Sequence, residues 1–195
     1  MFSFEKNYVL KNERVELSPL SKEHEPLLFK ASDDPDIWTH FTENGYGEVQ
    51  FGKYISAALE KKKQNQEYPL VIKDLASGQY VGMTRIYDVS NQLRNVKLGH
   101  TWIGKAHQGT GLNKNCKYLL FQFLFDEMNM ERIGFGASEL NKKSIRALKS
   151  VGCKIEGELR HFLPIEHSDE RVSIVLMSII KSEWQGSIKA NFKFS

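Results

Sequence analysis

The sequence has no long hydrophobic run. Across its 195 residues, no segment approaches the roughly 18 consecutive apolar residues that a membrane-spanning helix needs. The N-terminal stretch MFSFEKNYVLKNERVEL also lacks the basic start and apolar centre of a secretory leader. We therefore expect a soluble cytoplasmic protein with no membrane partner.

Cysteine is scarce. The chain has 2 cysteines, Cys116 and Cys153, which lie far apart in apolar segments and form no C-x-x-C pair. This spacing excludes a disulfide framework and predicts two reduced, unpaired thiols that pack as small apolar side chains. We also expect no bound metal.

Neither sign of charge dominates. The 27 basic and 24 acidic side chains are well mixed and leave a net charge of +3, and the one dense basic run is Lys61-Lys62-Lys63. Such a run is more typical of a solvated helix end than of a nucleic-acid surface, so we expect no nucleic-acid partner. With 41% apolar residues and no repeat or flexible linker, the chain is predicted to form one domain over residues 1–195.

Hydrophobic periodicity predicts the element order β-α-α-β-β-β-α-β-α-β-β, with Ser21 and Asn141 as candidate helix N-caps and Gly152 as a left-handed helix stop. Three consecutive strands with short polar turns form an antiparallel meander, and β-α-β crossovers follow. We therefore expect an α/β (α+β) chain with one mixed sheet and helices on both faces. The predicted strands are Arg14–Leu20, Tyr68–Asp74, Tyr80–Val89, Asn95–Gly104, Arg132–Ser138, Ile155–Leu163 and Arg171–Ile180, and the predicted helical faces are Phe51, Tyr54, Ile55, Ala58 and Leu59, then Leu112, Cys116, Leu119, Leu120, Phe123 and Leu124, then Ile145 and Leu148.

A glycine pair separates a predicted strand from a predicted helix in the stretch WIGKAHQGTGLNK, residues 102–114. It is not a Walker A loop, because Gly104-Lys105 is followed by Ala106, and a dinucleotide fingerprint would need Gly or Ala where Lys114 stands. What remains is a loop before a helix whose first N–H groups are unpaired, which favours an anion site. The alternative is an ordinary strand-to-helix turn in which glycine satisfies only the backbone geometry.

At these residues the chain resembles a known family. The run Q-G-T-G-L-N is similar to the pyrophosphate loop Q/R-x-x-G-x-G/A of the GNAT superfamily of acetyl-CoA-dependent N-acetyltransferases, although Asn113 replaces the last Gly or Ala. With the later motifs RI, N-x-x-S-x-R-A-L-x-x-x-G and EGELR, the stretch from Arg14 to Trp184 resembles the branch that contains the ribosomal-protein N-terminal acetyltransferases. The resemblance implies a GNAT-like, mostly antiparallel sheet with a splayed parallel pair of strands.

The resemblance also implies where acetyl-CoA binds. The splayed pair would be the strand ending at Gly104 and the strand Arg132–Ala137, with the cofactor arm between them and the pyrophosphate on the N–H groups of Gly109 to Asn113. Asn141 would bond the arm, a role that can coexist with an N-cap. The implied cofactor-binding residues are Trp102, Ile103, Gly104, Gln108, Gly109, Thr110, Gly111, Leu112, Asn113, Asn141 and Ser144.

The catalytic groups are less well defined. Many relatives carry a tyrosine, the acid for the departing thiolate, where this chain has Leu148, so Ser144 is the candidate acid; the alternative is an unremarkable serine in a first helical turn. Close relatives often carry Glu at the position of Lys97, so His100 on the same strand is the candidate base, unless it only packs there. A chain of waters, or a partly neutral amine, would remove the need for either group.

The acceptor site is expected between the first helices and the loop that joins the last two strands. Trp38, Phe41 and Tyr46 are candidate walls, and the acidic side chains of Glu166, Asp169 and Glu170 would favour a cationic amine unless that loop is only a solvated turn.

The leading interpretation is an acetyl-CoA-dependent transferase acting on a primary amine of a protein N-terminus or small molecule. The alternative is a non-catalytic acyl-CoA-binding or regulatory protein on the same fold, because Leu148 and Lys97 stand where relatives often carry the acid and the base. The sequence leaves the acceptor's identity and the oligomeric state open, a homodimer included.

Overall fold

The computed structural model of the protein describes residues 1–164 and 169–194. These residues form one eight-stranded mixed sheet with helices on both faces. The order of strands across the sheet is β1-β2-β3-β4-β5-β6-β8-β7. None of the helices in those ranges is long and apolar enough to cross a bilayer. The elements are β1 Leu10–Lys11, β2 Val15–Pro19, α1 His24–Ser32, α2 Pro35–Trp38, α3 Glu48–Lys63, β3 Glu67–Asp74, β4 Tyr80–Ser90, β5 Asn95–Ile103, α4 Leu112–Phe121, β6 Arg132–Ser138, α5 Lys142–Ser150, β7 Lys154–Pro164, β8 Arg171–Ile180 and α6 Lys181–Glu183.

Strands β3, β4 and β5 form the predicted antiparallel meander. The β3–β4 turn is held by Asp74, whose carboxylate accepts hydrogen bonds from the Ala76 N–H at 3.1 Å and the Ser77 hydroxyl at 3.0 Å. Gly78 then takes a φ of +72°, which a residue without a Cβ adopts at little cost. Local turn chemistry therefore sets the start of the meander.

The parallel pair β5–β6 is the most unusual part of the sheet. The two strands pair through three residue pairs, the last of which is Lys97 with Gly134. Beyond that point β5 stays paired with β4, and β6 stays paired with β8 as far as Ser138. The strands therefore diverge, and we call the wedge between Leu98–Ile103 of β5 and Phe135–Ser138 of β6 the split. The expected splayed parallel pair is confirmed.

A β-bulge lies in β5 beside the split. Arg85 of β4 stands opposite Gly99 and Met83 stands opposite Trp102, so both His100 and Thr101 face one residue of β4. His100 takes a φ of +48° to accommodate the extra residue. The two side chains point to opposite faces of the sheet: His100 contacts the Phe41 ring on one face, and Thr101 contacts α4 on the other.

The sheet is covered on both faces by separate apolar clusters. One face packs against α4, α5 and the C-terminal segment, with Leu112, Leu120 and Ile145 among its buried residues. The other packs against α1 and α3, with Leu28, Phe51 and Ile55 buried there. Hydrophobic burial at this scale is the main stabilising term of the fold.

Several local expectations can be checked directly. Asn141 is the N-cap of α5, since its Oδ1 accepts the Ser144 N–H at 2.9 Å, and Gly152 follows that helix with a φ of +95°. Ser21 is not an N-cap, because α1 begins later, at His24, and the Ser21 hydroxyl pairs with the His24 ring instead. Cys116 and Cys153 are both buried free thiols, as expected.

A buried charge cluster lies beneath the meander. The guanidinium of Arg85 is fully buried, and its Nη1 lies 2.7 Å from Glu67 and 3.5 Å from Glu43. Lys61 pairs with the same two carboxylates, at 3.2 Å and 2.8 Å. Two cations and two carboxylates therefore neutralise one another, and each buried charge is stabilised by its oppositely charged neighbours.

We predict that Glu67→Gln lowers the free energy of unfolding by about 3 kcal/mol, because it leaves the buried Arg85 guanidinium undercompensated. The matched control is Glu60→Gln on the exposed face of α3, which removes a surface carboxylate and should change stability by less than about 0.5 kcal/mol. Urea denaturation would measure both variants. Equal stability of the two would show that the cluster contributes no more than a surface pair.

Candidate functional site

The glycine loop leads from β5 into α4. After Ile103 the chain makes one 3₁₀ turn at Lys105–His107, and Gly109 and Gly111 then take φ values of +76° and +80°. Within residues 1–164 and 169–194, the N–H groups of Gly109, Thr110 and Gly111 have no hydrogen-bond acceptor. The N–H groups of Leu112 and Asn113 also lack an acceptor among the described residues, so the loop presents donors at the positive end of a helix dipole. This arrangement is suited to a phosphate group.

Gln108 fixes the loop to its surroundings. Its side-chain Nε2 donates to the Ile103 carbonyl at 2.8 Å, and its Oε1 accepts from the Lys143 ammonium at the start of α5. The residue therefore ties the end of β5 to α5 across the mouth of the split. Its role in the structure is to orient the loop.

The remaining loop residues divide between exposed and buried positions. Thr110 is exposed and its hydroxyl donates to the His107 carbonyl at 2.7 Å, whereas Leu112 is fully buried beneath the loop. Asn113 has a buried Oδ1 without a hydrogen-bond partner in the described part of the chain.

The two glycines have different surroundings. A Cβ at Gly111 would lie 2.5 Å from the Phe194 carbonyl oxygen, while a Cβ at Gly109 would point into open space. The C-terminal segment therefore packs beside Gly111, whereas the space beside Gly109 is open.

Along the end of β5, the backbone N–H and carbonyl groups of successive residues point alternately toward β4 and toward the split. Gly104 donates its N–H to Val81 of β4 at 2.8 Å, so Trp102, two residues earlier, also directs its backbone groups to β4. Ile103 faces the opposite way, in agreement with its carbonyl accepting from Gln108. By the same alternation Thr101 faces the split. Of the residues Trp102 to Gly104, Ile103 is the one placed to offer its N–H to a ligand there.

The start of α5 stands on the other side of the split. Because Asn141 caps the helix through the Ser144 N–H, the Ser144 hydroxyl is not needed as a cap. That hydroxyl is half-buried and makes no hydrogen bond to other residues in the described ranges. The structure therefore leaves a spare hydroxyl near the end of β6, while Leu148, one turn further, is buried in the apolar cluster.

His100 lies on the face opposite α4. Its ring is half-buried between Tyr87 and Phe41, with centroids 5.7 Å and 6.5 Å away. Burial and the nearby Arg85 guanidinium lower the pKa of His100 to about 4, so the imidazole is neutral at physiological pH. The ring therefore has a free nitrogen lone pair, and the low pKa makes it a weak base.

Of the three residues predicted to line the acceptor site, Trp38 and Phe41 are in contact and Tyr46 lies apart from them. Trp38 is buried and contacts Phe41 and Trp102, with ring centroids 5.3 Å and 5.6 Å away. Phe41 is half-buried and connects this aromatic group to His100. Tyr46 is 46% exposed and lies on the surface of the following loop.

The other candidates lie further out. Lys97 is exposed and pairs with Asp88 at 2.9 Å, so it is not placed as a base in the split. Asp169 and Glu170 are exposed before β8, and Glu166 lies outside the described residues.

Two residues that the sequence did not single out also border the split. Thr101 follows the bulge, and Lys117 of α4 donates its ammonium to the Thr101 hydroxyl at 3.2 Å. No sequence signal marked Lys117, because α4 also carries Asn113, Lys114 and Asn115, and only the fold shows which of these polar side chains are buried.

Comparison with known proteins identifies a family whose model matches most of the chain. Residues 14–154 match the family model for the acetyltransferase (GNAT) domain. YdaF of Bacillus subtilis (strain 168), provisionally named a ribosomal N-acetyltransferase, is 28% identical over 114 residues, which are 57% of this chain and 60% of YdaF. The match therefore spans less than two thirds of the length of that relative.

Two solved structures share the fold. A GCN5-related N-acetyltransferase from Brucella melitensis has a TM-score of 0.86 at 21% identity, over 96% of this chain and 85% of that chain. Spermidine N-acetyltransferase from Vibrio cholerae, in complex with CoA and spermine, has a TM-score of 0.73 at 18% identity, over 89% of this chain and 99% of that chain.

We predict that Gly109→Val weakens binding of coenzyme A at least about 10-fold, because the branched side chain enters the space where phosphate would meet the loop N–H groups. Gly78→Val is the matched control, since Gly78 has a similar positive φ and an equally open Cβ position in the β3–β4 turn. Titration calorimetry would measure both affinities. If the two variants bound equally well, the loop would not be the anion site.

Proposed function

This chain belongs to the GNAT family of acetyltransferases, and on that premise we propose that it transfers the acetyl group of acetyl-CoA to a primary amine, on a protein N-terminus or a small molecule. The observation that carries the proposal is the split between β5 and β6, which opens directly onto the glycine loop. A slot lined by unpaired strand backbone, with phosphate donors at its mouth, suits a long ligand that is anionic at one end and carries amides along its arm.

The cofactor would lie along β5. Its pyrophosphate would accept hydrogen bonds from the N–H groups of Gly109 to Asn113, and its arm would pair with the backbone that faces the split. The N–H groups of Ile103 and Thr101 face that space, so they are the candidate donors to the oxyanion that forms when the amine attacks the thioester. Asn141 and Ser144 would border the arm from α5.

The acceptor amine would approach from the opposite face, where Phe41 and His100 lie together. Trp38 would support this wall from within the core, and Tyr46 would lie at its rim. A neutral His100 would accept a proton from the attacking amine, directly or through a water. The nearby Glu43 and Glu67 are already paired with Arg85 and Lys61, so they add no net negative charge to this face. A preference for cationic amines would instead come from Asp169 and Glu170.

A second candidate function is binding of acyl-CoA without catalysis, and two residues, Leu148 and Lys97, favour it. Leu148 offers no proton to a leaving thiolate, and Lys97 is an exposed cation paired with Asp88. The two functions share the cofactor and differ in turnover.

The test is release of free thiol from acetyl-CoA in the presence of small amines, polyamines and peptides with free N-termini, followed by mass spectrometry of the products. We expect one class of amine to gain the mass of an acetyl group, and Gly109→Val to abolish the gain at low cofactor concentration. Cofactor binding without thiol release from the whole panel would support the non-catalytic function.

We predict that Ser144→Ala lowers kcat about 100-fold, the loss expected for removing a positioned proton donor, while the affinity for acetyl-CoA changes little. Ser150→Ala on the same helix is the control, because the Ser150 hydroxyl is exposed and bonds only the Ala147 carbonyl among the described residues. Steady-state kinetics with the amine identified by the panel would measure both. Turnover of Ser144→Ala at the wild-type rate would exclude the serine as the acid.

A further inference from the structure

Lys117 is a buried lysine without an acidic partner. It lies in the middle of α4 with 4% of its surface exposed, and within the described ranges it forms no ion pair with a carboxylate. Its Nζ donates to the Thr101 hydroxyl at 3.2 Å and stands 5.4 Å from the centre of the Phe135 ring. Burying an ammonium with so few partners costs free energy, so its presence at this position calls for an explanation.

The position of the ammonium suggests that reason. Thr101 belongs to β5 and Phe135 to β6, and both lie beyond the Lys97–Gly134 pair at which the strands part. Lys117 therefore reaches from α4 to the floor of the split and contacts both of its walls. The backbone of Thr101 faces the same space, so the ammonium lies close to the candidate oxyanion donors.

The charge of Lys117 is not cancelled locally. Burial lowers the pKa of Lys117 to about 8, so the side chain remains mostly protonated at neutral pH. The titratable groups beside it are the thiols of Cys116 and Cys153, and burial raises the pKa of each to about 12. Both thiols are therefore neutral, and among the described residues no carboxylate pairs with the ammonium at the floor of the split.

We propose that Lys117 is a catalytic residue that stabilises the negative charge on the CoA sulfur as it leaves. This inference rests on the proposed function, because it places the thioester in the split. The amine nitrogen attacks the acetyl carbon, the carbon–sulfur bond breaks and its electron pair goes to sulfur. The amine loses a proton to His100 or water, and the thiolate is held beside the Lys117 ammonium until it is protonated. The spare N–H groups of Lys117 supply the hydrogen bonds.

The thiol pKa of bound CoA tests this role without any acceptor amine. It is followed by the ultraviolet absorbance of the thiolate during a pH titration, measured as the difference from protein without CoA so that the two cysteines and seven tyrosines cancel. We expect wild-type protein to lower the thiol pKa of CoA, a cationic neighbour at contact distance being worth a roughly 10- to 100-fold change in the ionisation constant. Lys117→Met, which keeps the length of the side chain and removes its charge, should abolish the shift.

Controls separate this role from a structural one. Lys117→Met removes a buried charge, so its melting temperature should equal or exceed that of the wild type. Lys53→Met removes a lysine from the exposed face of α3 and should leave the shift in the thiol pKa of CoA unchanged. The same thiol pKa for CoA bound to wild type and to Lys117→Met would overturn the inference while leaving the acetyl transfer intact. Failure of wild-type protein to bind CoA would overturn the proposed function and the inference together.

Discussion

The site depends on one constraint, the early end of pairing between β5 and β6. Each strand is held on its outer side, β5 by β4 and β6 by β8, so neither can turn back to follow the other. The bulge at His100 and Thr101 increases the local twist of β5 at the place where the strands part. Backbone groups that would be costly to bury without partners therefore line an open slot, which a ligand with amide groups can satisfy.

The two faces of the sheet differ in charge where they meet this slot. On the side of α1 and α3, Arg85 and Lys61 are balanced by Glu43 and Glu67, and His100 is neutral. On the side of α4, the Lys117 ammonium has no carboxylate partner in the described part of the chain. The acetyl transfer that we propose would consume a neutral amine and release an anion at sulfur, and it would be matched by a neutral imidazole on one face and a cation on the other.

Ordinary structural interactions position the candidate groups. Gln108 connects the carbonyl of Ile103 to Lys143, and so holds the loop against both walls of the split. Asn141 caps α5, and because that cap is complete the Ser144 hydroxyl is available for another partner. The same contacts that terminate a strand and begin a helix thus fix the geometry at the mouth of the site.

The sequence by itself determined the local elements and the loop. The meander, the α5 cap at Asn141, the stop at Gly152 and the glycine loop before α4 all follow from short-range turn and capping chemistry, which neighbouring residues specify. The family resemblance added the splayed pair. Ser21 was misassigned because its hydroxyl found the His24 ring instead of a helix N–H. The tertiary structure alone decided that Lys117 lies between Thr101 and Phe135, that Arg85 is buried among carboxylates and that Ile103 rather than Gly104 faces the split. These facts depend on a bulge and on contacts between residues distant in the chain, and no local pattern encodes either.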